Sequence, residues 1–169
     1  MPITPFHFGP GALIASSNPR YVSFLAFCAI NVLIDIESLY NMVTGQPQVH
    51  AFFHTYIGAT LAAFISVVLF IPARSIARQL PDWPVLDWKS LGVLPVAIGL
   101  ALGAWSHVAL DSLMHVDITP LAPLSDKNPL YGAVSLSRLH WACAACAVTA
   151  IAIVAARPRK PVNRRRGTR

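Results

Sequence analysis

Charge is scarce in this chain, and the places where it is missing decide the protein's class. Asp, Glu, Lys and Arg make up 12% of the 169 residues, against roughly a quarter in soluble domains. No charged side chain other than histidine lies between Glu37 and Arg74, between Lys89 and Asp111, or between Arg138 and Arg157. A membrane helix needs about 20 apolar residues, and these gaps supply it, which excludes a soluble core as their explanation. Cysteine is also rare, with three in the chain. Cys28 falls inside the first apolar run, and Cys143 and Cys146 form a C-x-x-C inside the last. Within a membrane helix that pair reads as small residues in a helix contact rather than as a zinc or redox pair. The opening segment lacks a basic start and is broken by Pro2, Pro5 and Pro10, which argues against a signal peptide. There is no internal repeat and no low-complexity tract.

What charge exists is placed by topology. Seven of the 13 basic residues lie in the tail Arg157–Arg169, and Arg74, Arg78 and Lys89 lie between the second and third apolar runs. The alternate loops hold none (Asn41–His50) and two (Lys127 and Arg138). The positive-inside rule then puts both termini in the cytoplasm. It also accounts for the net charge of +6 without nucleic acid, and none is expected as a partner.

These features predict an all-α, polytopic membrane protein with about four transmembrane helices and a short re-entrant or interfacial N-terminal segment. Residues 1–156 form a single transmembrane metal-site domain, and 157–169 a basic cytoplasmic tail. The spans are expected near Tyr21–Val43, Ala51–Pro72, Leu91–Met114 and Leu139–Ala156. Met1–Asn18 is too short to cross and carries His7. The loop Ala73–Ser90, with Trp83 and Trp88, reads as an amphipathic segment at the headgroups.

The ionisable residues inside those spans need a reason, because each costs several kcal/mol in hydrocarbon. His107, Asp111 and His115 repeat at four-residue spacing, which stacks them on one helical face. The trio covers about 12 Å of helix rise, too far for one ion to take all three, so one or two ions are expected. His50 and His54 form an H-x-x-x-H pair read as one face of the second span. In the first span Asp35 and Glu37 lie about 200° apart on a regular helix, so Asp35 is the direct ligand and Glu37 the candidate general base. Asn31, one turn before Asp35, is expected to hydrogen-bond to it. All of these groups fall in the half of the bundle away from the basic loops. A single intramembrane histidine more often bonds to a neighbouring helix than to a metal, but three helices converging on one end point to a shared site. Nitrogen and carboxylate donors together favour zinc, with manganese or iron as alternatives.

Four stretches carry a family resemblance. They are TPFHFGPG (Thr4–Gly11), NVLIDIE (Asn31–Glu37), H-x-x-x-HT (His50–Thr55) and H-x-x-x-D-x-x-x-H-x-D-x-x-P (His107–Pro120). Together they resemble the YdjM-like family of membrane-bound proteins assigned as metal-dependent hydrolases, over about Thr4 to Leu130. The resemblance implies His7, Asp35, Glu37, His50, His54, His107, Asp111 and His115 as metal-site positions, with Asp117 close by. The family's acidic pair is often D-x-D; here it is D-x-E. The expected function is a hydrolase of the inner (plasma) membrane whose metal-activated water attacks a lipid-like ester or phosphoester at the outer face. Its partner would be a membrane lipid or lipid-linked substrate. The competing class is a non-enzymatic metal-binding protein, a carrier or sensor.

Overall fold

A computed structural model describes residues 5–79 and 91–158. Among these there is no strand. A short 3-10 turn at Pro5–His7 leads into α1 (Phe8–Ser17), followed by α2 (Phe24–Val43), α3 (Tyr56–Ala77), α4 (Val93–Met114) and α5 (Leu136–Ala155). The last four are 20 to 22 residues long and apolar enough to cross a membrane. The segment with Trp83 and Trp88, and the tail beyond residue 158, lie outside the described residues.

Local signals set the helix boundaries. Ser23 caps α2 by accepting from the Ala26 N–H, and Thr55 caps α3 by accepting from the Gly58 N–H at 2.9 Å. Pro10 in α1 and Pro95 in α4 fall in first turns, where a missing N–H costs no helical bond. The second span therefore starts later than its apolar run, at Tyr56. The α3 helix also continues past Pro72 to Ala77, carrying Arg74.

Helix α4 is the central element, with α2 on one side and α3 on the other. Their contact surface is a column of Ile30, Ile34, Ala59, Ala62, Leu100, Ala104 and Val108 and their neighbours. Apolar packing offers no water to expel inside a bilayer, so close approach must supply the attraction, and small residues permit it. Gly99 and Gly103, one turn apart on α4, do this against α2. A methyl group on Gly103 would meet Phe27 O at 2.8 Å and Asn31 Nδ2 at 3.1 Å. Most of the remaining large apolar side chains, among them Phe64, Leu69, Trp141 and Ile151, face outward.

Helix α1 lies along α5. Its start is beside the second turn of α5, where Phe6 stacks on His140 with ring centroids 4.2 Å apart. Its end is at the far end of the bundle, where the Arg157 guanidinium donates to the Ser16 carbonyl. The Ser23 N–H donates to Pro95 O at 3.0 Å at that same end, so the starts of α2 and α4 and the ends of α1 and α5 lie together. The polar cluster is at the opposite end.

Candidate metal centre

The two acidic residues of α2 take up different positions. Asp35 points between α2 and α4, while Glu37 lies at the half-buried edge. His107 and Asp111 come from successive turns of α4. His54 closes a 3-10 turn, Phe52–His54, ahead of α3. The H-x-x-x-H pair is thus not on a helix, contrary to the sequence reading. Helix α3 begins only after Thr55, and the Tyr56 N–H is held by Pro120 O at 2.9 Å. His115 is likewise not on the helical face of its trio. It terminates α4 in an extended conformation, and its N–H donates to Asp111 O at 2.8 Å.

Asp35, His54, His107 and Asp111 are all buried and place one ligand atom each within 4.8 Å of the others. His107 Nε2 lies 3.4 Å from Asp35 Oδ1 and 3.3 Å from Asp111 Oδ2. His54 Nε2 lies 3.3 Å from His107 Nε2, 3.5 Å from Asp111 Oδ2 and 3.9 Å from Asp35 Oδ1. A tetrahedral ion bound at about 2.0–2.2 Å separates its ligand atoms by roughly 3.3–3.6 Å. Four of the five separations fall in that range, and the His54–Asp35 edge is slightly long. These separations would allow the tetrad to hold one ion.

Neighbouring groups orient the histidines of the tetrad. Asn31 Nδ2 donates to Phe27 O at 2.7 Å, which turns Asn31 Oδ1 toward His107 Nδ1 at 2.9 Å. His107 then carries its proton on Nδ1 and presents the Nε2 lone pair to the tetrad. The expected bond from Asn31 to Asp35 is replaced by this one, because the close α2–α4 contact at Gly103 brings His107 to Asn31. Glu37 Oε2 accepts from the Phe53 N–H at 2.8 Å and lies 3.7 Å from His54 Nδ1. It thus stands on the Nδ1 side of His54, away from the point where His54 Nε2 meets Asp35, His107 and Asp111. Sequence reasoning missed Ser38, whose Oγ lies 3.4 Å from His54 Nε2. Its signal was available: a serine one turn beyond Asp35, inside a span.

His50, Asp111 and His115 form a second group by the same distance criterion, with His115 half-exposed. The His50 and His115 rings are 4.2 Å apart, and His50 meets His54 edge-on at 4.8 Å. His50 Nδ1 lies 2.9 and 3.0 Å from the two Asp117 oxygens. Burial, then the neighbouring His54, pushes the His50 imidazole below its ordinary pKa despite Asp117. Burial and His50 do the same to His115. Burial alone would raise Asp117, but the bonds from the His50 ring and N–H hold it below the usual carboxylate range. Near pH 7 this leaves neutral imidazoles and an ionised carboxylate, the protonation states that metal binding needs.

His7 comes from the turn before α1. It is buried, with Nε2 2.9 Å from Asp111 Oδ1. That approach lacks hydrogen-bond geometry: both His7 nitrogens, His54 Nδ1 and Asp111 Oδ1 are buried without a hydrogen-bond partner. Of these, His7 Nε2 and Asp111 Oδ1 lie together beside the tetrad, where burial without a partner is costly and a nearby cation would offset part of that cost for the carboxylate.

The sequence model of the YdjM inner membrane protein family matches residues 8–165. The chain belongs to this family. The match runs from the start of α1 to beyond α5 and takes in the buried group of Asp35, His54, His107 and Asp111 but not His7, so the resemblance carried by short motifs extends across the fold. No curated protein and no solved structure matches the chain. The YdjM family's description as inner membrane proteins agrees with the four apolar helices of a multi-pass membrane protein.

Proposed function

We propose that the chain is a metal-dependent hydrolase that acts on a lipid-like ester or phosphoester at the outer face of the membrane. The observation that carries the metal is the near-tetrahedral spacing of Asp35, His54, His107 and Asp111. Two nitrogens and two carboxylates favour zinc. When bound, such an ion supplies Lewis-acid activation of water and of an ester or phosphoryl oxygen. The chain's own contribution is orientation: Asn31 sets the tautomer of His107, the Glu37 carboxylate stands behind His54, and the surrounding apolar helices exclude bulk water.

The lipid reading rests on the surface around the site. Val116, Leu124, Tyr131, Leu136 and Trp141 are exposed at that end, an apolar rim suited to the acyl part of an amphiphile. The outer-face reading rests on charge, since Arg20, Arg74, Arg78 and Arg157 lie toward the opposite end. A carrier is disfavoured because, among the described residues, the column between the site and that end is built of Ile30, Ile34, Val96, Leu100 and Ala104, without the polar path a carrier needs. The tetrad alone would equally suit a sensor with a structural ion, because its four positions are filled by protein atoms.

The test is metal analysis of the protein purified in detergent, beside His54→Ala and His107→Ala, followed by assay on phospholipid and lipid-linked esters with and without chelator. Bound metal that both variants lose, and hydrolysis that chelator abolishes, are expected. A metal-loaded protein inactive on every ester and phosphoester would move the function to the sensor class.

A further inference from the structure

We propose that His50, Asp111 and His115 bind a second divalent cation, and that this outer site, not the tetrad, keeps the coordination positions open to water and substrate. This rests on the metal-dependent reading above and divides its labour between two places.

Four observations support the division. The first is ligand number. The tetrad offers four protein atoms, which closes a tetrahedral ion, whereas the outer group offers three and leaves at least one position free. The second is access. Each tetrad member is buried, but His115 is half-exposed at the end of the bundle, so only the outer group reaches solvent or a headgroup.

The third is the placement of Asp111, the single residue common to both groups. Its Oδ2 faces the tetrad histidines at 3.3 and 3.5 Å, while its buried Oδ1 lies 2.9 Å from His7 Nε2 without making a hydrogen bond. A carboxylate shared by the two groups places them close together, as two-metal hydrolytic sites require at ion separations of about 3.5–4 Å.

The fourth is the support around the outer group. The Asp117 carboxylate takes the Nδ1 proton of His50, leaving Nε2 as the donor atom, an arrangement that positions metal-binding histidines and raises their basicity. Asn128 Nδ2 donates to Ser112 O at 2.9 Å and His115 O at 3.1 Å, fixing the extended turn that carries His115. Gln48 Nε2 reaches both His50 O and Asp117 O, at 3.0 and 3.3 Å, tying the two outer loops together. Loops held this way form a built site rather than a chance meeting of side chains.

The experiment is zinc and manganese stoichiometry by elemental analysis on the full chain in detergent, with manganese electron paramagnetic resonance to report whether two ions interact. Wild type is expected to hold two ions per chain with a coupled manganese signal. His115→Ala should hold one, with the signal of an isolated ion. Asp117→Asn, which leaves every ligand in place, should weaken only the more loosely held ion, by roughly 10–100-fold. One ion in wild type, unchanged in His115→Ala, overturns the second site and leaves the tetrad standing. Two ions retained in His115→Ala overturn the assignment of its ligands, and loss of both ions there overturns the division into separate sites. No ion in wild type overturns the metal reading altogether.

Discussion

Asn31 and His107 meet through a 2.9 Å hydrogen bond between Oδ1 and Nδ1, and this bond decides which imidazole nitrogen faces the centre. Asn31→Leu keeps the side chain's approximate size and removes the acceptor. It should lower metal affinity by about 10–100-fold, read by competition with a fluorescent chelator. Unchanged affinity would show that the tautomer of His107 is set elsewhere.

Glu37 is predicted to act through His54, because its carboxylate lies 3.7 Å from His54 Nδ1 and is anchored by the Phe53 N–H. Glu37→Gln should lower metal affinity, and saturating metal should restore most of the hydrolysis rate. A true general base would behave differently: the rate would stay depressed by about 10²–10⁴-fold at full occupancy. Measuring turnover against metal concentration separates the two.

Gly103→Ala should force α2 and α4 apart, since the added methyl would meet Phe27 O at 2.8 Å and Asn31 Nδ2 at 3.1 Å. Overpacking of this kind costs about 1–3 kcal/mol. Thermal unfolding in detergent should show the loss, and metal affinity should fall with it because Asp35 and His107 lie on the two separated helices. An equal melting temperature with intact metal binding would remove the close contact from the account of the site.

Gln46 lies in the turn between α2 and α3, and Arg157 follows α5. With four crossings these points fall on opposite sides of the membrane. Reporter fusions at Gln46 and after Arg169 should therefore give opposite signals, the second cytoplasmic. The same signal from both would rule out the four crossings.

The spans and most members of the buried polar cluster were legible in the sequence for a simple reason. Removing a charge from water inside a bilayer is so costly that both its absence and its rare presence carry information. The separation of Asp35 from Glu37 was also readable, because helical geometry turns neighbours two apart in different directions. The backbone under the histidines was not. Four-residue spacing suits a helix, yet it also suits the 3-10 turn at Phe52–His54, and what separates the two is the bond from Tyr56 N–H to Pro120 O, far apart in the chain. The partner of Asn31 was hidden for the same reason. Local pattern places it one turn from Asp35, but the glycine face of α4 brings His107 nearer.

The pairing of α1 with α5 has a consequence in time. The ribosome makes α1 first and α5 last of the five, yet α5 meets the rest of the bundle chiefly through α1. The helices α2, α3 and α4 can associate as they emerge into the bilayer, but the earliest segment, which touches α2 and α4 only lightly, gains its main neighbour when the latest one arrives. His7, carried on the turn before α1, therefore gains its full support beside Asp111 only when α5 is in place. Assembly of the centre is thereby tied to completion of α5: a chain stalled before Leu136 holds the tetrad residues but lacks the helix that seats His7.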